Sequence, residues 1–161
     1  AFKVEAFQAV PYGQLGTIAG GRVYFEAVIS KCHTVNSVFA GKNYTSLPRT
    51  DIIYTHCDDD GVLIEAAVNA GAQGIIYAGS GMGSIHCGAE AALLKAVQRG
   101  AAVVRSTRVS EGRVLPANPK WEAAGFISGG NLNPQKARIL LQLALTETKD
   151  PARLQQIFDE Y

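Results

Sequence analysis

Three short apolar runs constrain this chain more than any other feature. They are Asp51-Ile52-Ile53-Tyr54-Thr55-His56, Gly74-Ile75-Ile76-Tyr77-Ala78 and Ala101-Ala102-Val103-Val104-Arg105. Between the first two, Val62, Leu63, Ala66, Ala67 and Ala70 recur at helical spacing, and Gly71 stops that helix. Between the second and third, Ala89, Ala92, Leu93, Ala96 and Val97 form an apolar stripe. Glu90, Lys95, Gln98 and Arg99 lie outside that stripe, and Gly100 ends it. Gly125-Phe126-Ile127-Ser128 reads as a fourth strand. Strands of five or six residues alternating with helices require βαβ units, a parallel sheet and right-handed crossovers. The expected fold class is α/β: a small parallel sheet flanked by helices in a three-layer, Rossmann- or flavodoxin-like arrangement.

Residues 14–28 precede this pattern and read as a β-hairpin. Leu15, Ile18, Val23, Phe25 and Val28 are strand formers, and Gly20-Gly21 offers the turn. Residues 30–48 have no period and carry Gly41, Asn43, Ser46 and Pro48. The expected organisation is a connecting segment with a hairpin over 1–48 and the α/β domain over 49–161. Two helices close the chain. Asn133-Pro134 and Asp150-Pro151 each place a capping side chain before a proline at the first helical position. Residues 134–145 are apolar almost all round, which predicts a buried or interfacial helix. Leu154, Ile157 and Phe158 make the last apolar stripe.

The chain has 161 residues, and surface scaling leads to burial of roughly 69% of the unfolded surface, enough for one core. A 47% apolar, 18% charged composition excludes general disorder. The formal net charge of +1 gives no electrostatic reason for a nucleic acid or membrane partner. No apolar run approaches the ~20 residues of a membrane span. Cys32, Cys57 and Cys87 are too few for a disulfide scaffold. The start at Ala1, with no signal-peptide layout in Phe2-Lys3-Val4-Glu5, leads us to expect an internal cut in a longer protein.

Ligands of open α/β sheets bind at the carboxyl ends of the strands, here the loops 56–61, 79–85, 106–124 and 129–133. Gly79-Ser80-Gly81-Met82-Gly83-Ser84 follows a strand and opens a helix. It admits three readings: a phosphate or dinucleotide cradle built from backbone N–H groups, a plain tight turn, or a carboxylate- or amide-binding loop. For the first, the third glycine falls at Ser84, and Arg105 stands where an acidic ribose ligand is expected. Each cysteine neighbours a histidine, in Cys32-His33, His56-Cys57 and His86-Cys87. Adjacent residues rarely supply two ligands to one metal, so packing is the favoured reading and no metal is expected. Asp58-Asp59-Asp60 fits acid–base or Mg²⁺ chemistry, but a helix N-terminus attracts Asp by itself. Thr17 in Gly16-Thr17-Ile18-Ala19-Gly20 mimics a nucleophile loop, yet its surroundings read as the hairpin.

From Asp51 onward the sequence resembles the carboxyl-terminal domain of bacterial type II L-asparaginases and glutaminase-asparaginases. The most specific stretch is Leu132-Asn133-Pro134-Gln135-Lys136-Ala137-Arg138-Ile139-Leu140-Leu141-Gln142-Leu143-Ala144-Leu145-Thr146. Val103 to Val109 and Ala78 to Ser84 match as well, and Tyr12 to Gly16 with His33-Thr34 fits the connecting segment more loosely. The resemblance implies an amidohydrolase acting on L-asparagine or L-glutamine without a cofactor. It implies a homotetramer of intimate dimers in the periplasm, with each active site between the amino-terminal domain of one subunit and this domain of its partner. The nucleophile motifs of the amino-terminal domain are absent from the sequence, so this fragment alone is expected to be inactive. Two substrate contacts carry over. One is an Asn or Ser in the Gly-rich loop, which falls on Ser84; Met82 departs from the usual polar pattern. The other is a Glu before the Gly-Phe strand. A short-loop alignment gives Glu122, a longer-loop alignment gives Asn118, and Glu111 is the third candidate.

Overall fold

The computed structural model describes residues 8, 9 and 12–161. Ala1 and Phe2–Glu5, on which the reading of the chain's start falls, lie outside the described residues. The chain runs β1 (Gly16–Ala19), β2 (Arg22–Phe25), a 3-10 turn (Thr34–Asn36), β3 (Thr50–Tyr54), α1 (Val62–Asn69) and β4 (Gly74–Gly79). It continues through α2 (Cys87–Gln98), β5 (Ala102–Thr107), α3 (Pro119–Ala123), β6 (Ile127–Ser128), α4 (Pro134–Glu147) and α5 (Pro151–Glu160).

The sheet is parallel, in the order β3-β4-β5-β6. Strands laid down in one direction with right-handed crossovers put every connecting helix on one face. Ile75, Tyr77 and Val103 therefore pack with Ile64 of α1 and Ala89 and Leu93 of α2, and Trp121 of α3 joins them. The opposite face, with Ile76, Val104 and Ile127, is covered by Leu141 and Ala144 of α4 and by Leu154, Ile157 and Phe158 of α5. The result is the expected three-layer α/β arrangement, with β4 buried along its whole length.

Element limits moved for identifiable reasons. β5 reaches Thr107 because its ladder with β4 continues to the Gly79–Thr107 pair. β6 starts only at Ile127, since the Phe126 N–H donates to the Trp121 carbonyl at 2.9 Å instead of to the sheet. That bond belongs to α3, a helix the apolar rhythm did not predict. Asn133 and Asp150 cap α4 and α5 as expected, accepting from the N–H of Lys136 and Arg153. The helix α4 buries Ala137, Leu140, Leu141, Ala144 and Leu145, while Ile139 is exposed.

The hairpin β1–β2 is antiparallel, with Gly20 and Gly21 at positive φ in its turn. Thr17 pairs with Tyr24 in this hairpin. Ile18 and Phe25 are 77% and 79% exposed, so the hairpin does not contribute to the core of the α/β layers. Residues 32–39 are instead strapped to the end of α5. The Tyr161 hydroxyl bonds Ser37 Oγ and accepts from the Val38 N–H, each at 2.8 Å.

Candidate functional site

The carboxyl ends of β4 and β5 carry a connected set of polar contacts. The Gly-rich loop is closed on itself. Ser84 N–H donates to the Ser80 carbonyl at 2.8 Å, Ser80 N–H returns a bond to the Ser84 carbonyl at 3.3 Å, and Gly83 N–H donates to Ser80 at 3.0 Å. These N–H groups are therefore not free to cradle a phosphate. Gly83 has φ +78°, and a Cβ there would sit 2.9 Å from both the Ser106 carbonyl oxygen and Val114 Cγ1. A Cβ on Gly79 would fall 2.2 Å from the Ser84 carbonyl oxygen. The loop keeps its glycines for backbone conformation and close approach.

Arg105 overturns its reading as a 2′-phosphate ligand. Only 2% of it is exposed. Its Nε donates to the Gly83 carbonyl at 3.2 Å, its Nη2 to Met82 at 3.3 Å and its Nη1 to Leu115 at 3.1 Å. The guanidinium carbon lies 4.7 Å from the centre of the Trp121 ring, a cation–π contact. Burial lowers the Arg105 pKa below its ordinary value, while the charge of Glu122 acts in the other direction. Thr107 Oγ1 adds a link, donating to the Gly81 carbonyl at 2.5 Å and accepting from Val109 N–H at 3.2 Å.

Ser84 is exposed beside this clamp, and Met82 is 55% exposed. Asn118 caps α3, accepting from the Lys120 N–H at 3.0 Å. Glu122 is exposed on the same helix. The helix is pinned through Glu90, whose Oε1 accepts from Trp121 Nε1 at 3.1 Å and from Lys120 Nζ at 2.8 Å. Those two hydrogen bonds hold the Glu90 carboxyl below its usual range. Ser84, Asn118 and Glu122 each lie within three residues of a group that touches Arg105: Gly83, Leu115 and Trp121. Glu111 lines a cleft of about 460 Å³ with Tyr12, Thr107, Arg113, Asn131 and Lys136. Hydrogen bonding to Arg113, and then to Asn131, lowers the Tyr12 pKa.

A second buried polar group lies at the neighbouring position. Tyr77 hydroxyl is 2.8 Å from Asp59 Oδ2 and 2.9 Å from Thr55 Oγ1, and the His86 N–H reaches it at 3.4 Å. Burial is the main cause that raises the Tyr77 pKa. Two of the three aspartates bond the backbone just ahead of α1: Asp59 Oδ1 accepts from the Gly61 N–H and Asp60 Oδ1 from the Val62 N–H. The N-cap itself is Gly61, in a left-handed conformation, so the expected aspartate cap is replaced by two turns that lead into the helix. The three histidines beside the cysteines are engaged in hydrogen bonds: His33 Nδ1 with Thr34 Oγ1, His56 Nδ1 with the Cys57 carbonyl, and His86 Nδ1 with the Asp59 carbonyl and the Gly88 N–H. Among the described residues no group of three or more His, Cys, Asp or Glu is placed to hold a metal ion.

Comparison with known proteins adds the decisive observation. The family described as Glutaminase/Asparaginase C-terminal domain matches residues 49–158. This chain belongs to that family. It is 45% identical over 157 residues to L-asparaginase 2 of Bacillus subtilis, covering 98% of this chain and 41% of the relative. It is 41% identical to the probable periplasmic L-asparaginase of Haemophilus influenzae, covering 98% of this chain and 46% of that protein. The crystal structure of a probable cytoplasmic L-asparaginase from Campylobacter jejuni superposes with a TM-score of 0.88 at 44% identity, covering 93% of this chain and 49% of that one. The chain spans less than half the length of these relatives. As a glutaminase/asparaginase C-terminal domain, it carries the α/β layers and the Gly-rich loop, while the relatives extend well beyond it.

Sequence reasoning missed Arg105 as a structural clamp and Asn118 as a cap. The Asn118-Pro119 pair repeats the signal of Asn133-Pro134 and marks α3. No local signal identified Arg105, because its partners are carbonyls of two distant loops.

Proposed function

We propose that this chain is the substrate-completing half of an L-asparaginase-type amidohydrolase. The assembled enzyme hydrolyses the side-chain amide of L-asparagine or L-glutamine: water supplies the oxygen, the C–N bond breaks, and the acidic amino acid and ammonia leave. No cofactor is required for that chemistry. Family membership of a chain that spans under half of its relatives carries this reading. The Ser84 hydroxyl contacts the substrate from the Gly-rich loop, and Asn118 or Glu122 contacts it from the α3 side. Glu122 is the better partner for an α-ammonium because it carries a negative charge; Asn118 offers only a carbonyl dipole, already engaged by Lys120. Both loops meet an amino-terminal domain of a neighbouring subunit, in a homotetramer of intimate dimers located in the periplasm.

Ammonia release from L-asparagine and L-glutamine tests the reading. The chain is assayed alone and after co-expression with the amino-terminal half of the Bacillus subtilis relative. The expected result is silence alone and turnover when combined. Turnover by the chain alone contradicts the proposal and returns attention to Thr17.

A further inference from the structure

We propose that Arg105 is a positioning residue that locks the Ser84 loop and the 109–118 loop to one another, so that substrate meets both as a preset pair. The inference rests on the reading of those loops as substrate contacts. A position at the centre of a parallel sheet is ordinarily filled by a branched apolar side chain, as Val103 shows two residues earlier. Arg105 instead buries a permanent cation, which is costly unless its donors are satisfied. It forms no ion pair among the described residues. Its donors go to backbone carbonyls of two loops, Met82 and Gly83 on one side and Leu115 on the other. Gly83 precedes Ser84, Leu115 lies three residues before Asn118, and Trp121, under the guanidinium, precedes Glu122. One planar group therefore reaches the segments that carry Ser84, Asn118 and Glu122. Carbonyl acceptors bind the cation without neutralising it, so the lock is directional. A flat fork stacked on an indole can hold three carbonyls in fixed directions, and a lysine ammonium cannot.

Two variants test this, Arg105→Met and, in case that one fails to fold, Arg105→Lys, which keeps the charge and loses the fork. Amide hydrogen exchange of this chain reads the lock directly. The amides of Ser84 and Val114, bonded to the Ser80 and Gly130 carbonyls, should exchange at least tenfold faster together in Arg105→Lys, while amides of β4 keep their protection. In the enzyme reunited with the amino-terminal half, KM for L-asparagine should rise at least fivefold with kcat within twofold of the parent. Loosening of only one loop, uniform loosening of the whole fold, or an unchanged KM with both loops loosened would each overturn the proposal. Absence of turnover in the reunited parent would defeat the amidohydrolase reading alone, and the exchange result would still decide whether Arg105 couples the loops.

Discussion

Tyr77 and Arg105 stand directly opposite one another across β4 and β5, and both are buried. The pair Ile75 and Val103, two residues earlier on the same strands, is apolar. The core therefore changes from apolar to polar within one repeat of the sheet. Tyr77 gathers Thr55, Asp59 and His86; Arg105 gathers Met82, Gly83 and Leu115. The loops at the carboxyl ends hang from side chains of the buried central strands, which hold a site more precisely than loops do.

Removal of the tyrosine hydroxyl should be felt in stability and its pH dependence. Tyr77→Phe leaves the buried Asp59 carboxylate short of a donor, at a cost of about 1–3 kcal/mol. Because folding raises the Tyr77 pKa, the folded state holds that proton more tightly. Its contribution is complete below the ordinary value of 10.0 and is lost as pH rises through the raised value. Urea unfolding of parent and Tyr77→Phe at pH 7 and above pH 10 should show the parent losing the larger amount.

Trp121 is the one tryptophan in the sequence, so its fluorescence reports on α3 alone. The lowered Glu90 pKa means its contacts hold above 4.5 and are lost as pH falls through the depressed value. Emission should shift in an acid transition below pH 4.5. A Glu90→Gln variant that retains the same transition would refute the assignment.

Gly83→Ala combines a left-handed backbone with overlap against Ser106 and Val114. The expected loss is roughly 2–4 kcal/mol. Thermal unfolding measures it, and a loss under about 1 kcal/mol would mean that the loop adapts freely.

Asn133→Ala removes the cap of α4, whose side chain accepts from the Lys136 N–H at 2.9 Å. A loss of about 1 kcal/mol is expected, or about 2–4 °C in Tm for a chain of this size. Calorimetry is the direct check.

Ser84→Asn concerns selectivity. A hydroxyl leaves more room in the loop than a carboxamide, so the serine enzyme should accept glutamine more readily. In the reunited enzyme, glutamine kcat/KM should fall at least tenfold relative to asparagine on the change to Asn. Equal relative turnover of both amides by the two proteins would remove the idea.

Most of the architecture was legible from local signals. Apolar rhythm located β3, β4, β5, α1, α2, α4 and α5, and the Asn-Pro and Asp-Pro pairs marked two helix starts. The short α3 was not legible by rhythm, because five residues are too few to show a period. Only its cap, Asn118-Pro119, announced it. Of the site, the Gly-rich loop was evident as a strand-to-helix turn, but its candidate as an anion cradle was not separable from a closed turn. That distinction depends on where the Ser80, Gly83 and Ser84 N–H groups point.

Residue type at short spacing is enough to set the order of strands and helices, the parallel sheet and the family. Tertiary structure alone decided the use of Arg105, Tyr77 and Asp59. Their partners lie 10 to 23 residues away for Arg105 and 18 to 22 for the bonds between Tyr77, Asp59 and Thr55. A buried polar side chain is defined by the atoms that satisfy it, and those atoms become neighbours only when the sheet brings the loop ends together.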